Sequence, residues 1–305
     1  MRTVRTVAEL RAALVPAQRD GLSIGLVPTM GAFHDGHLSL IRRARAECHV
    51  VAVSLFVNPA QFDDAGDLRR YPRDERRDAT LAAELGIDLL FVPGVDEIYP
   101  AGFATTVSVG GVSEGLEGAH RGRGHFDGVA TVVAKLLIAA APDAAYFGRK
   151  DAQQVAVVRR LVADLALPVR IVACPTVRAD DGLALSSRNA LLSPADRERA
   201  AALHRALQAI QDAIKADPDD VRAAIAAGQA ELSAAGIAAE YLEVVDRETM
   251  EPLERVDGAA LAVIAARVGG VRLIDNLPVA LTDEDHDELS HTDPEVATRQ
   301  RAPTA

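Results

Sequence analysis

The chain has 305 residues, of which 49% are hydrophobic, and it carries a formal net charge of −11. This composition is sufficient for a hydrophobic core, and the acidic excess disfavours sequence-independent binding to nucleic acid, which depends on a basic surface. No apolar stretch approaches the roughly 20 residues that a membrane span requires. The two cysteines, Cys48 and Cys174, are too far apart for a metal-type spacing. We therefore expect a cytoplasmic protein that binds neither membrane nor nucleic acid.

The first half of the chain alternates short β-branched runs with amphipathic helical patterns. Strands are predicted at residues 23–27 (closed by Pro28), 50–57, 88–92, 145–147 and 169–173. Helices are predicted at residues 38–47, 78–85, 129–140 and 152–165. Alternation of this kind is typical of an α/β fold with a parallel sheet covered by helices. We place the end of this first domain at residue 185.

A second, smaller α+β domain is predicted over residues 186–280. Ser193 and Pro194 form a good helix start, and Ala-rich helical patterns follow to about residue 234. Three strands are then predicted at residues 239–245, 260–268 and 271–274, with Gly269-Gly270 as a hairpin turn. Residues 281–305 are polar and without periodicity, which predicts a disordered tail.

The first motif with chemical meaning runs from Val27 to Leu38 and contains His34 and His37. It leaves a predicted strand, turns through glycines and opens a helix, so backbone N–H groups and a positive helix end face one point. Two histidines at such a turn can offer N–H donors to phosphate oxygens. The spacing His-x-Gly-His is typical of nucleotidyltransferases and class I aminoacyl-tRNA synthetases, which act at the α-phosphate of ATP.

A second motif follows the strand predicted at residues 145–147. Gly148 allows close approach of a ligand, Lys150 suits phosphate, and Asp151 can accept hydrogen bonds from ribose hydroxyls. Gln154 faces the same way one helical turn after Lys150. A surface salt-bridge cluster is an equally good explanation of this segment by itself.

A third motif lies at the predicted domain junction and contains Ser186, Ser187 and Arg188. Two hydroxyls and a guanidinium form a plausible clamp for the outer phosphates of ATP. Helix capping is the alternative for the serines.

Two further stretches in the first domain can contact small polar ligands. Asn58 and Gln61 end a buried strand with two amides, which recognise hydroxyl and carboxylate groups. A turn explains Asn58 equally well but does not explain Gln61. The glycine-rich loop that contains Arg121 and Arg123 is basic in an acidic protein and is a candidate for anion contact.

Together these stretches resemble the pantothenate synthetase family, the pantoate–β-alanine ligases of the His-x-Gly-His nucleotidyltransferase superfamily, from about Val7 to Val279. The combination is more specific than any single motif, because His-x-Gly-His alone indicates only the superfamily. The motifs that carry the resemblance are residues 28–37, 57–62, 71–73, 97–100, 150–154, 175–178, 185–189 and 272–276.

The resemblance implies a Rossmann-like ATP-binding domain, a smaller C-terminal lid domain and a homodimer. It implies ATP-dependent condensation of pantoate with β-alanine through a pantoyl-adenylate, with Mg²⁺ accompanying ATP. Carried over by position, the catalytic residues are His34, His37, Lys150, Ser187 and Arg188. The ATP contacts are Met30, His34, His37, Gly148, Lys150, Asp151, Ser186, Ser187 and Arg188. Gln61 and Gln154 hold pantoate.

The sequence departs from the family pattern at a few positions. Arg149 stands where an acid is usual, and Ala60 replaces a methionine before Gln61, which predicts a looser pantoate pocket. Arg77 stands where the first of two paired acids is common, so any metal-associated role is reduced to Asp78, and the metal ligands stay unassigned. The alternatives are another nucleotidyltransferase of this type with a different acceptor, or a nucleotide-binding module without catalysis. The retained histidine pair and Lys150 argue against the latter.

Overall fold

The computed structural model describes residues 1–280, and the predicted disordered tail, residues 281–305, lies outside the described residues. The chain divides into two compact units. The first contains Met1–Gly148 and Val157–Cys174, and the second contains Arg149–Ala156 and the chain from Pro175 onward. The second unit therefore includes residues 175–185, which the sequence assigns to the first domain. Arg178 explains this grouping, because its guanidinium is bonded to Asp275 in the last strand.

The first unit is built on a six-stranded sheet in which every neighbouring pair is parallel. Its strands are β1 (Arg2–Val4), β2 (Ile24–Thr29), β3 (Val50–Leu55), β4 (Leu89–Phe91), β5 (Ala144–Gly148) and β6 (Arg170–Cys174). The strand order is β1-β4-β3-β2-β5-β6. The chain thus runs outward on one side of β2 and later on the other side, which makes the carboxyl ends of β2 and β5 a topological switch point. Open α/β sheets bind their ligands at such points.

Seven α-helices within residues 1–140 belong to the first unit. They are α1 (Val7–Arg19), α2 (Asp35–Glu47), α3 (Ala65–Arg70), α4 (Glu75–Glu84), α5 (Val95–Ile98), α6 (Glu117–Arg121) and α7 (Arg123–Ala140). Helix α8 (Ala152–Asp164) follows β5 and is shared between the two units. The strand β3 has the buried pattern expected of a central parallel strand, with Val51, Ala52 and Val53 fully enclosed.

The strand β2 extends two residues beyond the predicted end at Val27. Pro28 lies inside it, opposite Ser54 of β3, whereas β5 pairs with β2 only at Gly25 and Leu26. The missing N–H of Pro28 therefore removes no bond from the ladder with β5, which is why a proline is tolerated in a central strand here.

Within its described residues, the second unit has three helices packed on an antiparallel sheet, in addition to the start of α8. The helices are α9 (Pro194–Ala200), α10 (Ala202–Ala216) and α11 (Val221–Ala234), and the strands are β7 (Ala239–Asp246), β8 (Ala260–Val268) and β9 (Val271–Ala280) in the order β7-β8-β9. Ser193 caps α9 with Pro194 in its first turn, as predicted. Gly269 and Gly270 form the hairpin turn with positive φ values. The prediction of a parallel α/β domain followed by a smaller α+β domain is confirmed.

No helix within residues 1–280 is long and apolar enough to cross a membrane.

Candidate active site

In the first unit, the chain leaves β2 at Thr29 and turns before α2 begins at Asp35. Asp78 on α4 holds this turn, and its side chain is completely buried. One carboxylate oxygen accepts the N–H of Ala32 at 2.7 Å, and the other accepts the N–H of Phe33 at 2.8 Å. Gly31 has a φ of 84°, and a Cβ on it would lie 2.9 Å from Asp78 Oδ2. The turn therefore requires glycine at this position.

These contacts give Asp78 a structural role at the turn. Both of its oxygens make charge-assisted bonds to backbone amides, which fix the turn from inside the protein. Arg77 donates to the carbonyl of Phe33 at 3.3 Å and so supports the same turn. Within residues 1–280 there is no group of three or more His, Cys, Asp or Glu side chains arranged to hold a metal ion. Asp78 is therefore a positioning residue for the turn that carries the histidines.

His34 and His37 lie side by side at the start of α2, with ring centroids 4.2 Å apart. His34 is the N-cap residue, and its Nδ1 accepts the N–H of Gly36 at 3.1 Å. The Nδ1 of His37 accepts the backbone N–H of His34 at 3.4 Å. A ring nitrogen that accepts an N–H carries no proton, so the neutral form of each imidazole has its proton on Nε2. Both histidines are therefore set as Nε2–H donors at a helix N-terminus, which favours anions.

Gln61 lies at the end of the 3-10 turn Pro59–Gln61, after β3. Its Nε2 is 3.2 Å from the sulfur of Met30, and its Oε1 accepts from Asn58 Nδ2 at 3.0 Å. The structure thus brings together Met30 and Gln61, which the sequence assigns to ATP and to pantoate.

Asn58 orients Gln61 from a buried position, with 1% of its surface exposed. Its Nδ2 also donates to the carbonyl of Gly128 at 3.0 Å, and its Oδ1 accepts from the hydroxyl of Tyr99 at 2.7 Å. Burial raises the pKa of Tyr99 to about 12, so this hydroxyl stays a donor. Of the two amides that the sequence suggests for ligand recognition, Asn58 is engaged by the protein itself. Tyr99 was not assigned a role from the sequence.

Arg121 and His125 form the other side of the Gln61 segment. His125 is 8% exposed, and its Nδ1 lies 2.8 Å from the carbonyl oxygen of Gln61, which can only accept. Its Nε2 then accepts from Arg121 Nη1 at 3.2 Å, and Arg121 Nε donates to Asp63 at 2.9 Å. Burial and the neighbouring Arg121 charge lower the pKa of His125. Of the two loop arginines, Arg121 contacts the Gln61 segment, whereas Arg123 is exposed.

In the second unit, the segment after Gly148 forms a 3-10 turn over Arg149–Asp151. Lys150 Nζ lies 3.5 Å from Asp151 Oδ1, and the lysine side chain is 18% exposed. This Lys150–Asp151 ion pair is the contact expected if the segment is a surface salt-bridge cluster, which is the alternative interpretation from the sequence. Asn276 on β9 donates through Nδ2 to the carbonyls of Arg149 and Lys150, at 2.8 Å each. Gln154 lies partly buried in the first turn of α8.

Ser186, Ser187 and Arg188 lie at the start of a 3-10 helix over Ser187–Leu191. The hydroxyl oxygen of Ser186 accepts the N–H of Arg188 at 3.3 Å, so Ser186 does cap a helix. Capping uses the oxygen as an acceptor and leaves the hydroxyl proton as a donor. Asn189 Nδ2 donates to the carbonyl of Ala184 at 3.0 Å and ties this turn to the preceding chain.

The described geometry defines an α/β protein with a histidine-bearing turn between a strand and a helix N-terminus, at the switch point of a parallel sheet. Over residues 2–278 the chain matches the pantoate-beta-alanine ligase family. The chain belongs to this family.

Curated relatives and solved structures agree with this membership. A pantothenate synthetase from Cereibacter sphaeroides is 56% identical over 277 residues, which are 90% of this chain and 99% of that protein. The crystal structure of a pantothenate synthetase from Thermus thermophilus is similar with a TM-score of 0.87 and 51% identity, over 92% of this chain and all of that one. A pantoate-beta-alanine ligase from Francisella tularensis, complexed with beta-gamma ATP and beta-alanine, has a TM-score of 0.77 and 33% identity, over 92% of this chain and 99% of that one.

Proposed function

We propose that this chain condenses pantoate with β-alanine at the expense of ATP, and that the turn carrying His34 and His37 stabilises the α-phosphate during the reaction. Membership of the ligase family defines the overall reaction, ATP-dependent formation of pantothenate. The observation that supports the role of the turn is the pair of hydrogen bonds that the two imidazoles accept from backbone N–H groups. Both Nδ1 atoms accept backbone N–H groups, so both rings present Nε2–H at a helix N-terminus.

The chemistry requires activation, because a free carboxylate is a poor electrophile. In the first step a pantoate carboxylate oxygen attacks the α-phosphorus of ATP, and the bond to pyrophosphate breaks. In the second step the β-alanine amine attacks the acyl carbon of the pantoyl-adenylate, loses a proton and displaces AMP. Negative charge grows on the α-phosphate oxygens in the first step, and fixed N–H donors stabilise it more than they stabilise the ground state. This scheme needs no covalent nucleophile and depends on orientation and charge stabilisation.

Further contacts to ATP are proposed from the family pattern. Lys150, Ser186, Ser187 and Arg188 contact phosphates, and Gly148 and Asp151 contact adenosine, while Met30 adds an apolar contact. The open space at the Cα of Gly148, where an added Cβ would meet no atom within 4 Å, supports close approach of a ligand there. Lys150 is a compact cation whose side chain is largely enclosed, which supports a phosphate contact.

Pantoate is proposed to bind through the amides of Gln61 and Gln154. Gln61 is the better supported of the two, because Asn58 fixes its Oε1 and thereby determines which atom is the donor. Its Nε2 donates to the sulfur of Met30 at 3.2 Å, and its second N–H can be offered to a hydroxyl or carboxylate oxygen.

Mg²⁺ is proposed to enter with ATP as part of the Mg–ATP substrate. The carboxylate of Asp78 is taken up by backbone amides, so the phosphates themselves are the ligands that we expect to bring the ion. Bound to the phosphates, Mg²⁺ would neutralise the leaving pyrophosphate.

Two further proposals rest on the family resemblance alone. We expect the enzyme to be a homodimer and to act in the cytoplasm. Sedimentation velocity at micromolar concentration measures the first, and a single species with the mass of one chain would contradict it.

The test of the reaction is AMP formation by the purified protein with Mg–ATP and pantoate, with and without β-alanine. We expect steady AMP release and matching pantothenate only when both substrates are present. AMP without pantothenate, or turnover with another carboxylate in place of pantoate, would indicate a different acceptor. Absence of AMP under all conditions would indicate a nucleotide-binding module without catalysis.

A further inference from the structure

The last strand of the second unit, β9, carries two adjacent buried polar residues. Asp275 is 3% exposed and Asn276 is 6% exposed, in a strand that otherwise places Leu273 and Val279 in the core of this unit. Burying a carboxylate or an amide costs free energy unless each polar atom finds a partner. The hydrogen-bond partners of Asp275 and Asn276 therefore indicate the role of these two buried side chains.

Asp275 is held by Arg178 in a two-pronged ion pair. Arg178 Nη1 lies 2.6 Å from Oδ2, and Nη2 lies 3.0 Å from Oδ1. The same guanidinium donates to the carbonyls of Gly182, at 3.0 Å, and of Asn276, at 2.9 Å. Oδ1 of Asp275 also accepts the backbone N–H of Asn276 at 2.8 Å. The ion pair thus fixes the backbone of Asn276 and the turn at Gly182 together.

The side chain of Asn276 is directed at the turn that contains Lys150. Its single Nδ2 donates to the carbonyls of Arg149 and Lys150, at 2.8 Å each. The 3-10 turn runs directly into α8, and a carbonyl oxygen has two lone pairs, so each of these carbonyls can accept a bond from outside the helix. Such bonds tie the orientation of the turn to the strand. Asn276 supplies two such bonds from a strand that cannot move without disturbing the sheet.

We propose that Asn276, fixed by the Asp275–Arg178 pair, is a positioning residue for Lys150 in the adenylation step. The proposal rests on the proposed function, in which Lys150 contacts a phosphate of ATP. Through Gly182, Arg178 extends the same support to the segment that leads to Ser186. One buried ion pair therefore holds two of the segments that are proposed to bind phosphate. A displacement of about 1 Å at a catalytic group can cost on the order of 100-fold in rate.

The test compares Asn276→Ala with Leu273→Ala in ATP–pyrophosphate exchange with pantoate. Both substitutions truncate a buried side chain of the same strand, but only the first removes the bonds to the Lys150 turn. We expect Asn276→Ala to lower kcat/KM for ATP by about 10- to 100-fold. Leu273→Ala should lower Tm while keeping kcat/KM within about twofold. Asn276→Ser retains a shorter polar group in the same place, and it provides the same comparison if the alanine variant does not fold.

The double variant Asn276→Ala/Lys150→Ala shows whether the effect passes through the lysine. If Asn276 acts by positioning Lys150, its replacement in the Lys150→Ala background should change kcat/KM by no more than about twofold. Full additivity of the two losses, or an Asn276→Ala variant with wild-type kcat/KM, would overturn the positioning role. Wild-type turnover in Lys150→Ala alone would instead overturn the proposed phosphate contact, so the two failures are distinguishable.

Discussion

The turn after β2 and the turn after β5 both follow central parallel strands, but the protein anchors them in opposite ways. The turn before α2 is held by an acceptor, because the carboxylate of Asp78 receives the N–H groups of Ala32 and Phe33. The Arg149–Asp151 turn is held by a donor, because the amide of Asn276 binds two carbonyls. In each case the anchor complements the backbone groups that face it.

The two anchors also differ in charge. Asp78 places a negative charge just behind the histidine turn, where it meets only amide N–H groups in its described bonds. Asn276 is neutral, and the charge that supports it, Asp275, is balanced by Arg178. A full carboxylate makes stronger bonds to amides than a neutral acceptor does, roughly twice as strong. We therefore expect the first turn to be the more rigid and the more costly to disturb.

The largest expected effect comes from removing the Nε2–H donor of His34 while the structure of the first turn is kept. His34→Asn keeps an oxygen that can cap α2, because asparagine is a preferred N-cap residue, but it lacks Nε2–H. We expect kcat for pantothenate formation to fall by about 100- to 1000-fold, as for loss of a donor to a developing oxyanion, with Tm unchanged within a few degrees.

His34→Ala is the companion variant, since it removes both the donor and the cap. It should lose a similar factor in kcat and about 1 kcal/mol of stability in addition. If His34→Asn turns over at nearly the wild-type rate, the histidine is a cap and not a catalytic residue.

Asp78→Ala is expected to have the next largest effect, now on stability as well as rate. It leaves the N–H groups of Ala32 and Phe33 buried without their charged acceptor, at a cost of about 3 kcal/mol or more in the free energy of unfolding. Glu75→Ala on the same helix is the matched control, because Glu75 is exposed and pairs with Arg5 at the surface. Its removal should cost less than about 1 kcal/mol. Equal denaturation midpoints for the two variants would contradict the anchoring role of Asp78.

Gly128→Ala is expected to have a smaller effect. The substitution lies on α7 and acts on the 3-10 turn Pro59–Gln61, which contacts Met30 of the first turn. A Cβ at this position would overlap the carbonyl of Ala60 and lie 2.8 Å from the amide nitrogen of Gln61. The 3-10 turn must then shift, at a cost of about 1–3 kcal/mol, and KM for pantoate should rise because Gln61 moves with it. Gly124→Ala on the same helix meets no atom within 4 Å and should be neutral or slightly stabilising. An unchanged KM for pantoate in Gly128→Ala would indicate that Gln61 does not bind pantoate.

The sequence predicts the elements of this fold well where periodicity is strong. The strand β8 begins and ends at the predicted residues 260 and 268, because it is a nearly continuous apolar run that the Gly269-Gly270 turn closes. The strand β1 and the short helix α5 were not predicted. The strand β1 has three residues and is stabilised by pairing with β4, a contact far along the chain that no local pattern contains.

The site shows the same division between local and distant information. His34 and His37 were identified because their chemistry lies within one short motif. Asn276 enters the sequence analysis only through the family motif at residues 272–276, beyond the strand predicted at 271–274, and its bonds to residues 149 and 150 span more than 120 positions. The role of Asp78 was also missed, since an acid on a helix does not reveal from sequence that its partners are backbone amides 45 and 46 residues away.

The smallest expected effect is a dependence of stability on pH, and it distinguishes the Gln61 segment from the Arg178–Asp275 pair, whose charges act on His204. Burial lowers the pKa of His125 beside the Gln61 segment and of His204 in the second unit, and the charges of Arg121 and Arg178 act in the same direction. Below the ordinary value of 6.5 the unfolded chain takes up protons that the folded imidazoles resist. Their contribution to stability is therefore complete above that pH and is lost as the pH falls through the folded pKa.

We expect Tm to decrease from pH 7 to pH 5, and His125→Gln to flatten this decrease more than His204→Gln does, since His125 is the more buried of the two. Glutamine is neutral at both pH values and keeps an amide donor for the carbonyl of Gln61. Protonation of His125 would also remove the acceptor for Arg121 Nη1, so a fall in pH that reaches the folded pKa of His125 should loosen the Gln61 segment. Calorimetry of the three proteins across this range measures the slopes. An unchanged slope in His125→Gln would mean that the imidazole accepts its second proton in the fold as readily as in the unfolded chain.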